Sequence, residues 1–159
     1  MGTTSTTRSI EIDAPVERVF AFLADPVKAV QAFPMGRNVT VSDIMTTREG
    51  VLTSYRETMP MRLGPVHWDV VDAVRVEEYV PNQRIVDKSS SGPIHAMNVE
   101  PSGSGTKLTF TGTVNSRIPL LDKVKVFVFT RGRGQERNME MVLTEIKKTV
   151  EAEVVKADG

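Results

Sequence analysis

Between Asn38 and Asn115 the apolar residues recur at every second position, and short turns punctuate the run. A period of two is the mark of strands that bury one face. Strands joined by short turns must pair antiparallel, because parallel pairing needs a crossover of a dozen residues or more. The segments are Val39–Ser42, Val51–Met59, His67–Tyr79, Arg84–Lys88, Ile94–Glu100 and Thr106–Asn115. Between them, Glu49-Gly50, Pro81-Asn82, the run Ser89–Pro93 and the run Pro101–Gly105 carry turn chemistry. This stretch is an antiparallel meander, and its apolar face needs a cover.

The flanks supply the cover. Residues 1–7 read as a disordered polar tail, and Arg8–Ile12 alternates as a first strand. Pro15 then suits a helix start, and Glu17 complements the helix dipole. Val16, Val19, Phe20 and Leu23 form one helical stripe. Asp25-Pro26 breaks that helix, and Val27 to Phe33 reads as a second short one that stops before Pro34. At the other end Pro119 can start a helix, and Met139, Val142, Leu143, Ile146 and Val150 form its stripe. Lys147 with Glu151 adds an i,i+4 pair. The run Val124–Phe129 has strand propensity, and Gly132 and Gly134 weaken a helix, so one long helix with a weak middle is expected from about residue 120 to 153. The sum is an α+β domain over residues 8–155.

Composition narrows the function. Twenty basic and twenty acidic side chains cancel, so no positive field exists to hold nucleic acid. The chain has no cysteine, which excludes thiolate metal sites and cysteine nucleophiles and suits a cytoplasmic setting. No apolar run spans a bilayer and no signal-peptide core opens the chain, so stable membrane insertion is not expected. Two histidines, His67 and His95, without patterned carboxylates imply no metal. No nucleophile elbow or dinucleotide fingerprint appears, so no cofactor is expected.

Four stretches resemble one superfamily. Ile10–Pro15 leading to Val19-Phe20 looks like its strand-to-helix entry, and Val76–Pro81 like its strand ending in an acidic-aromatic-Pro turn. Gly105–Thr109 resembles its Gly-Thr-x-hydrophobic-Thr strand, and Leu143–Glu151 its closing helix. The chain thus resembles the SRPBCC superfamily of START domains, birch-pollen-allergen-like proteins and polyketide cyclase/dehydrases. That resemblance implies a helix-grip fold, in which a curved sheet of about seven strands wraps a long C-terminal helix, with two short helices after the first strand. Such a fold encloses a concave, mostly apolar space suited to a ligand.

Alternation nominates the lining. Leu108, Phe110, Gly112 and Val114 share one face, and His95, Met97 and Val99 share the matching face of the neighbouring strand. Tyr55 falls with Val51 and Met59, and Trp68 with Val70, Val74 and Val76. The candidate ligand contacts are therefore Tyr55, Trp68, His95, Met97, Phe110, Val114 and, on the long helix, Phe127. The apolar members read equally well as plain core. His95 reads as a ligand contact, a proton-handling group, or a histidine satisfied by a backbone carbonyl. Glu57 reads as a solvated strand residue, His67 as surface, and Arg131–Gly134 as small residues on a helix. The expected function is binding or transport of a small hydrophobic molecule (lipid, polyketide-like or aromatic). A cyclase, aromatase or dehydratase using Tyr55 and His95 is the first alternative. The second is an accessory protein resembling the G-type subunit of carbon monoxide dehydrogenase, with the apolar run around Phe127 as an interface. A homodimer stays open.

Overall fold

The computed structural model of the chain describes residues 3–34, 36–115, 120 and 135–158. Strand β1 (Thr3–Ile12) leads into helix α1 (Val16–Leu23) and helix α2 (Pro26–Gln31), followed by a single turn of 3-10 helix at Gly36–Asn38. Six strands come next: β2 (Thr40–Thr46), β3 (Leu52–Leu63), β4 (Val66–Val80), β5 (Arg84–Ser89), β6 (Ile94–Ser102) and β7 (Gly105–Asn115). Helix α3 (Gln135–Asp158) closes the chain. Among the described residues the seven strands form one curved antiparallel sheet in the order β1-β7-β6-β5-β4-β3-β2. This is the helix-grip arrangement expected from the alternation and the resemblance. Of the long helix expected from residue 120, the part from Gln135 onward is in place. Val124–Phe129 and Arg131–Gly134 lie outside the described residues.

Each helix is where its sequence puts it. Asp25 caps α2, its Oδ1 accepting from the backbone N–H groups of Val27 (3.0 Å) and Lys28 (3.3 Å), with Pro26 in the first turn. The apolar stripe of α1 buries Val19, Phe20 and Leu23. All five residues of the α3 stripe are at most 2% exposed. They meet Ile12, Val99, Leu108 and Phe110 from the sheet in one core. Polar ties fix α3 on β1: Lys147 Nζ donates to the Glu11 carbonyl (2.8 Å) and pairs with Glu151 (2.6 Å). Glu151 in turn accepts from the Asp13 backbone N–H at 2.8 Å.

Residues 3–7 correct the sequence reading: they are not a loose tail but the first half of β1, paired with Thr111–Asn115 of β7. The hydroxyls of Ser5, Thr7 and Ser9 meet those of Thr113, Thr111 and Thr109 at 2.8, 3.0 and 3.0 Å. Cross-strand Thr and Ser pairs of this kind stabilise a sheet. A strand that is polar on both faces shows no apolar alternation, which is why the pattern missed it.

Turn geometry fixes the register of β6 and β7. Gly103 sits at φ 58°, a left-handed conformation that only a residue without Cβ adopts freely. Gly105 is needed for another reason: a Cβ there would overlap the carbonyl oxygen of Ile12 on β1. Gly105→Ala must push β1 and β7 apart. It is expected to cost about 1–3 kcal/mol of stability in urea unfolding, and an unchanged midpoint would show that this junction is slack.

Candidate functional site: an apolar cavity with an acidic end

The concave face of the sheet does not close on the helices. A cavity of about 240 Å³ remains, walled by β3 to β7, by α2 with Phe33, and by Asn138 and Met139 of α3. Strand register arranges its sheet wall in rows. Ile85, Met97 and Phe110 stand opposite one another on β5, β6 and β7 and form an apolar row. Two residues along, Asp87, His95 and Gly112 form the next row. Farther across the sheet Glu57 of β3 stands directly opposite Asp72 of β4, with Tyr55 two residues away on the same face.

His95 sits at the boundary between the two chemistries. Its ring is edge-on to Phe110 (5.4 Å between centroids, 87°) and tilted against Phe33 (5.7 Å, 32°). Nδ1 faces Asp87 Oδ1 at 3.4 Å. Nε2 makes no hydrogen bond among the described residues. Burial disfavours the imidazolium, but the hydrogen bond and charge of Asp87, with Glu57 and Asp72 behind it, outweigh burial and raise the His95 pKa above its ordinary value. The 28% of its side chain that stays open borders the cavity.

The carboxylates differ in how they are held. Asp72, 4% exposed, accepts from Ser90 Oγ (2.6 Å), Ser91 Oγ (3.1 Å) and the Ser91 backbone N–H (3.2 Å), which pins the β5–β6 turn to β4. Glu57 accepts no hydrogen bond among the described residues. Burial, then the charges of Asp72 and Asp87, push its pKa from 4.5 to about 7, against a smaller lowering by His95. Two carboxylates directly opposite on paired strands repel when both are ionised. Glu57, the one without donors among the described residues, is the carboxyl that is raised. Burial and the same three carboxylates raise the Tyr55 phenol well above its usual value, so it stays a neutral hydroxyl.

Tyr55, His95, Met97, Phe110 and Val114 all border this cavity, brought together from β3, β6 and β7. Trp68 does not. It shares the face of Val74 but lies six residues farther along β4, about 20 Å at a strand's rise per residue. There it stands beyond the cavity near the β3–β4 hairpin tip, opposite Met61 and 44% exposed. Phe127 lies outside the described residues. His67 is exposed, as its sequence position suggested.

Glu57 is not the solvated residue that its sequence context suggested, since β3 turns it inward beside Tyr55. Asp72, Asp87 and Asn138 were missed altogether. The signal for two of them was present. Positions 70, 72, 74 and 76 alternate together, so a lone Asp in an apolar face marked Asp72. Ile85 and Asp87 share a face for the same reason. Among the described residues no group of three or more His, Asp or Glu side chains is placed to hold a metal ion. No described helix is long and apolar enough to cross a membrane.

The sequence matches one family model, described as polyketide cyclase / dehydrase and lipid transport, over residues 3–151. No curated protein matches it. Solved structures share the fold at low identity. A protein of unknown function, SA2116, from Staphylococcus aureus superposes with a TM-score of 0.67 at 14% identity, covering 96% of both chains. The solution structure of KanY gives 0.61 at 19% identity, covering 95% of this chain and 99% of the other. The di-domain ARO/CYC StfQ of the steffimycin biosynthetic pathway gives 0.59 at 15% identity, covering 96% of this chain and 52% of the other. At these identities the likeness is one of fold.

Proposed function

The chain belongs to the polyketide cyclase / dehydrase and lipid transport family, and from that premise we propose that it binds a small, largely apolar molecule in the cavity between sheet and helix. The observation that carries this reading is the cavity itself, with its row of Ile85, Met97 and Phe110 beside a polar end. Burying roughly 300 Å² of apolar ligand surface contributes about 7 kcal/mol before ordering costs, enough for useful affinity. A volume of about 240 Å³ lies below the roughly 300–1,000 Å³ of pockets for drug-sized ligands, so the ligand is small. One domain, with its sheet beginning at Thr3, suffices for the task. The lack of cysteine supports a cytoplasmic setting, and a homodimer remains compatible with it.

The direct test is titration with N-phenyl-1-naphthylamine, a neutral fluorophore that brightens in apolar surroundings. Saturable one-to-one binding, displaced by small apolar competitors, is expected. A linear, unsaturable response would overturn the reading.

One observation favours a second reading, acid–base catalysis of the cyclase or dehydratase type. Glu57, titrating near 7, and the His95–Asp87 pair stand in the same cavity, and groups poised near neutrality suit proton transfer at an enolising carbonyl. His95→Gln separates the two readings. Under catalysis it removes turnover of an enolisable polyketide analogue while affinity for the analogue holds. Under simple binding there is no turnover to lose.

A further inference from the structure

We propose that the ligand of this cavity is a cation: a small apolar body ending in a protonated amine, held by the acidic end. The proposal rests on the reading that the cavity binds a ligand, and it specifies which. It begins with Asn138 on α3. That side chain is 9% exposed and borders the cavity, yet its Oδ1 has no hydrogen-bond partner among the described residues. A buried acceptor left unmade costs about 1–3 kcal/mol, so the position makes sense when something in the cavity donates to it.

The sheet wall makes the same demand. Glu57, Asp72 and Asp87 all border the cavity, and among the described residues Asp72 has the fullest set of donors, the serines of the β5–β6 turn. Asp87 has His95 at 3.4 Å, and Glu57 has no donor among the described residues. No lysine or arginine is among the described residues that border the cavity. The polar end therefore sets three carboxylates and the unmet Asn138 Oδ1 against few donors, the Tyr55 hydroxyl and the His95 ring among them. An ammonium group offers three donors, a positive charge and no acceptor. Its bonds to carboxylates are charge-assisted, about twice as strong as neutral ones. An alcohol brings one donor and no charge. A fatty-acid carboxylate brings a further anion beside three carboxylates, where His95 already faces Asp87 and no lysine or arginine is among the described lining residues, so burying it there is unfavourable. The row of Ile85, Met97 and Phe110 covers the ligand's apolar part.

Octylamine, octanol and octanoate carry the same chain with three different ends, and calorimetric titration of each at pH 8 tests the assignment. An alkyl ammonium, like the lysine side chain near 10.4, keeps its proton there. Octylamine is expected to bind at least about tenfold tighter than octanol, a difference of about 1.4 kcal/mol, and octanoate weakest of all. Equal affinities, or octanoate tightest, would overturn the cation assignment and leave the apolar-binding reading standing. No binding of any of the three at millimolar concentration would overturn both. Glu57→Gln and Asn138→Leu supply the second arm, and neither removes a side-chain hydrogen bond made among the described residues. Each is expected to weaken octylamine several-fold while octanol stays within twofold of its starting affinity. Parallel losses for amine and alcohol, or no loss for either, would overturn the role given to these two side chains.

Discussion

Phe110→Ala is expected to lower the free energy of unfolding by about 3–5 kcal/mol, the usual cost of emptying a buried phenylalanine site. Phe110 is 1% exposed and stands at the hinge of core and cavity. One side packs in the core with Leu108, Ile146 and Met97. The other meets Phe33 (6.3 Å between centroids, 75°) and His95 edge-on. Truncation opens a void that merges with the existing cavity, and the rigid seven-stranded wall has little freedom to collapse into it. Against a total of about 5–15 kcal/mol for an ordinary domain, such a loss brings the protein close to unfolding. Urea denaturation at constant m-value reads it directly. A cost below about 1 kcal/mol, the scale of a surface change, would mean that Phe110 does not join core to cavity.

Stability is also expected to fall as pH rises from 4.5 to about 7, with Glu57 as the largest source. Its carboxyl is raised from 4.5 to about 7 in the folded chain by burial and by Asp72 and Asp87. Within that window the native state holds a proton that the unfolded state has released, so the slope of unfolding free energy against pH is negative. The contribution is fully present below 4.5 and gone above about 7. Each pH unit of that window corresponds to about 1.4 kcal/mol, so the whole is worth at most roughly 3.5 kcal/mol. His95, raised by Asp87 in spite of burial, adds to the same trend, its share present below 6.5 and lost as pH climbs through its folded value. Glu151 acts the other way. Hydrogen bonds from Lys147 and from the Asp13 backbone lower it, so its stabilisation is present above 4.5 and lost as pH drops through its folded value. The stability maximum should therefore fall on the acid side of neutrality. Thermal unfolding of wild type and Glu57→Gln from pH 4 to 8.5 checks this. Glu57→Gln should flatten the decline and stabilise the protein at pH 8, and an unchanged slope would move the proton elsewhere.

The fold was legible because its information is periodic. Six strands of the meander, the α1 stripe and the α3 stripe from Met139 to Val150 all show in which residues are apolar and how far apart they stand. The inward faces of β6 and β7 followed from the same alternation, which is why His95, Met97, Phe110 and Val114 group together in the sequence and are found together in the cavity. Alternation says which face a residue takes but not how far along the strand the cavity extends. Trp68 was misjudged for that reason, being on the right face and beyond the end. It is equally silent where neither face is apolar, as in Thr3–Thr7 of β1. The acidic end was hidden by a different limit. Alternation marks Asp72 and Asp87 as inward one at a time, but with Glu57 they become a site only when β3, β4 and β5 are laid side by side in register. Asn138 comes from a helix far away in sequence, and nothing local marks it.

The central claim is that a ligand sits inside the sheet. A second, more open groove lies on the protein's surface along β2 to β5, lined by Met45, Ser54, Arg56, Arg75 and Lys88 among others, and it is the natural competitor. Backbone amide and methyl NMR spectra, recorded while octylamine is added to isotope-labelled protein, decide between the two. Progressive shifts at Ile85, Asp87, His95, Met97, Phe110 and Asn138, with Arg56, Arg75 and Lys88 unmoved, are the expected result. Shifts confined to the outer groove, with the cavity residues silent at saturation, would contradict the account.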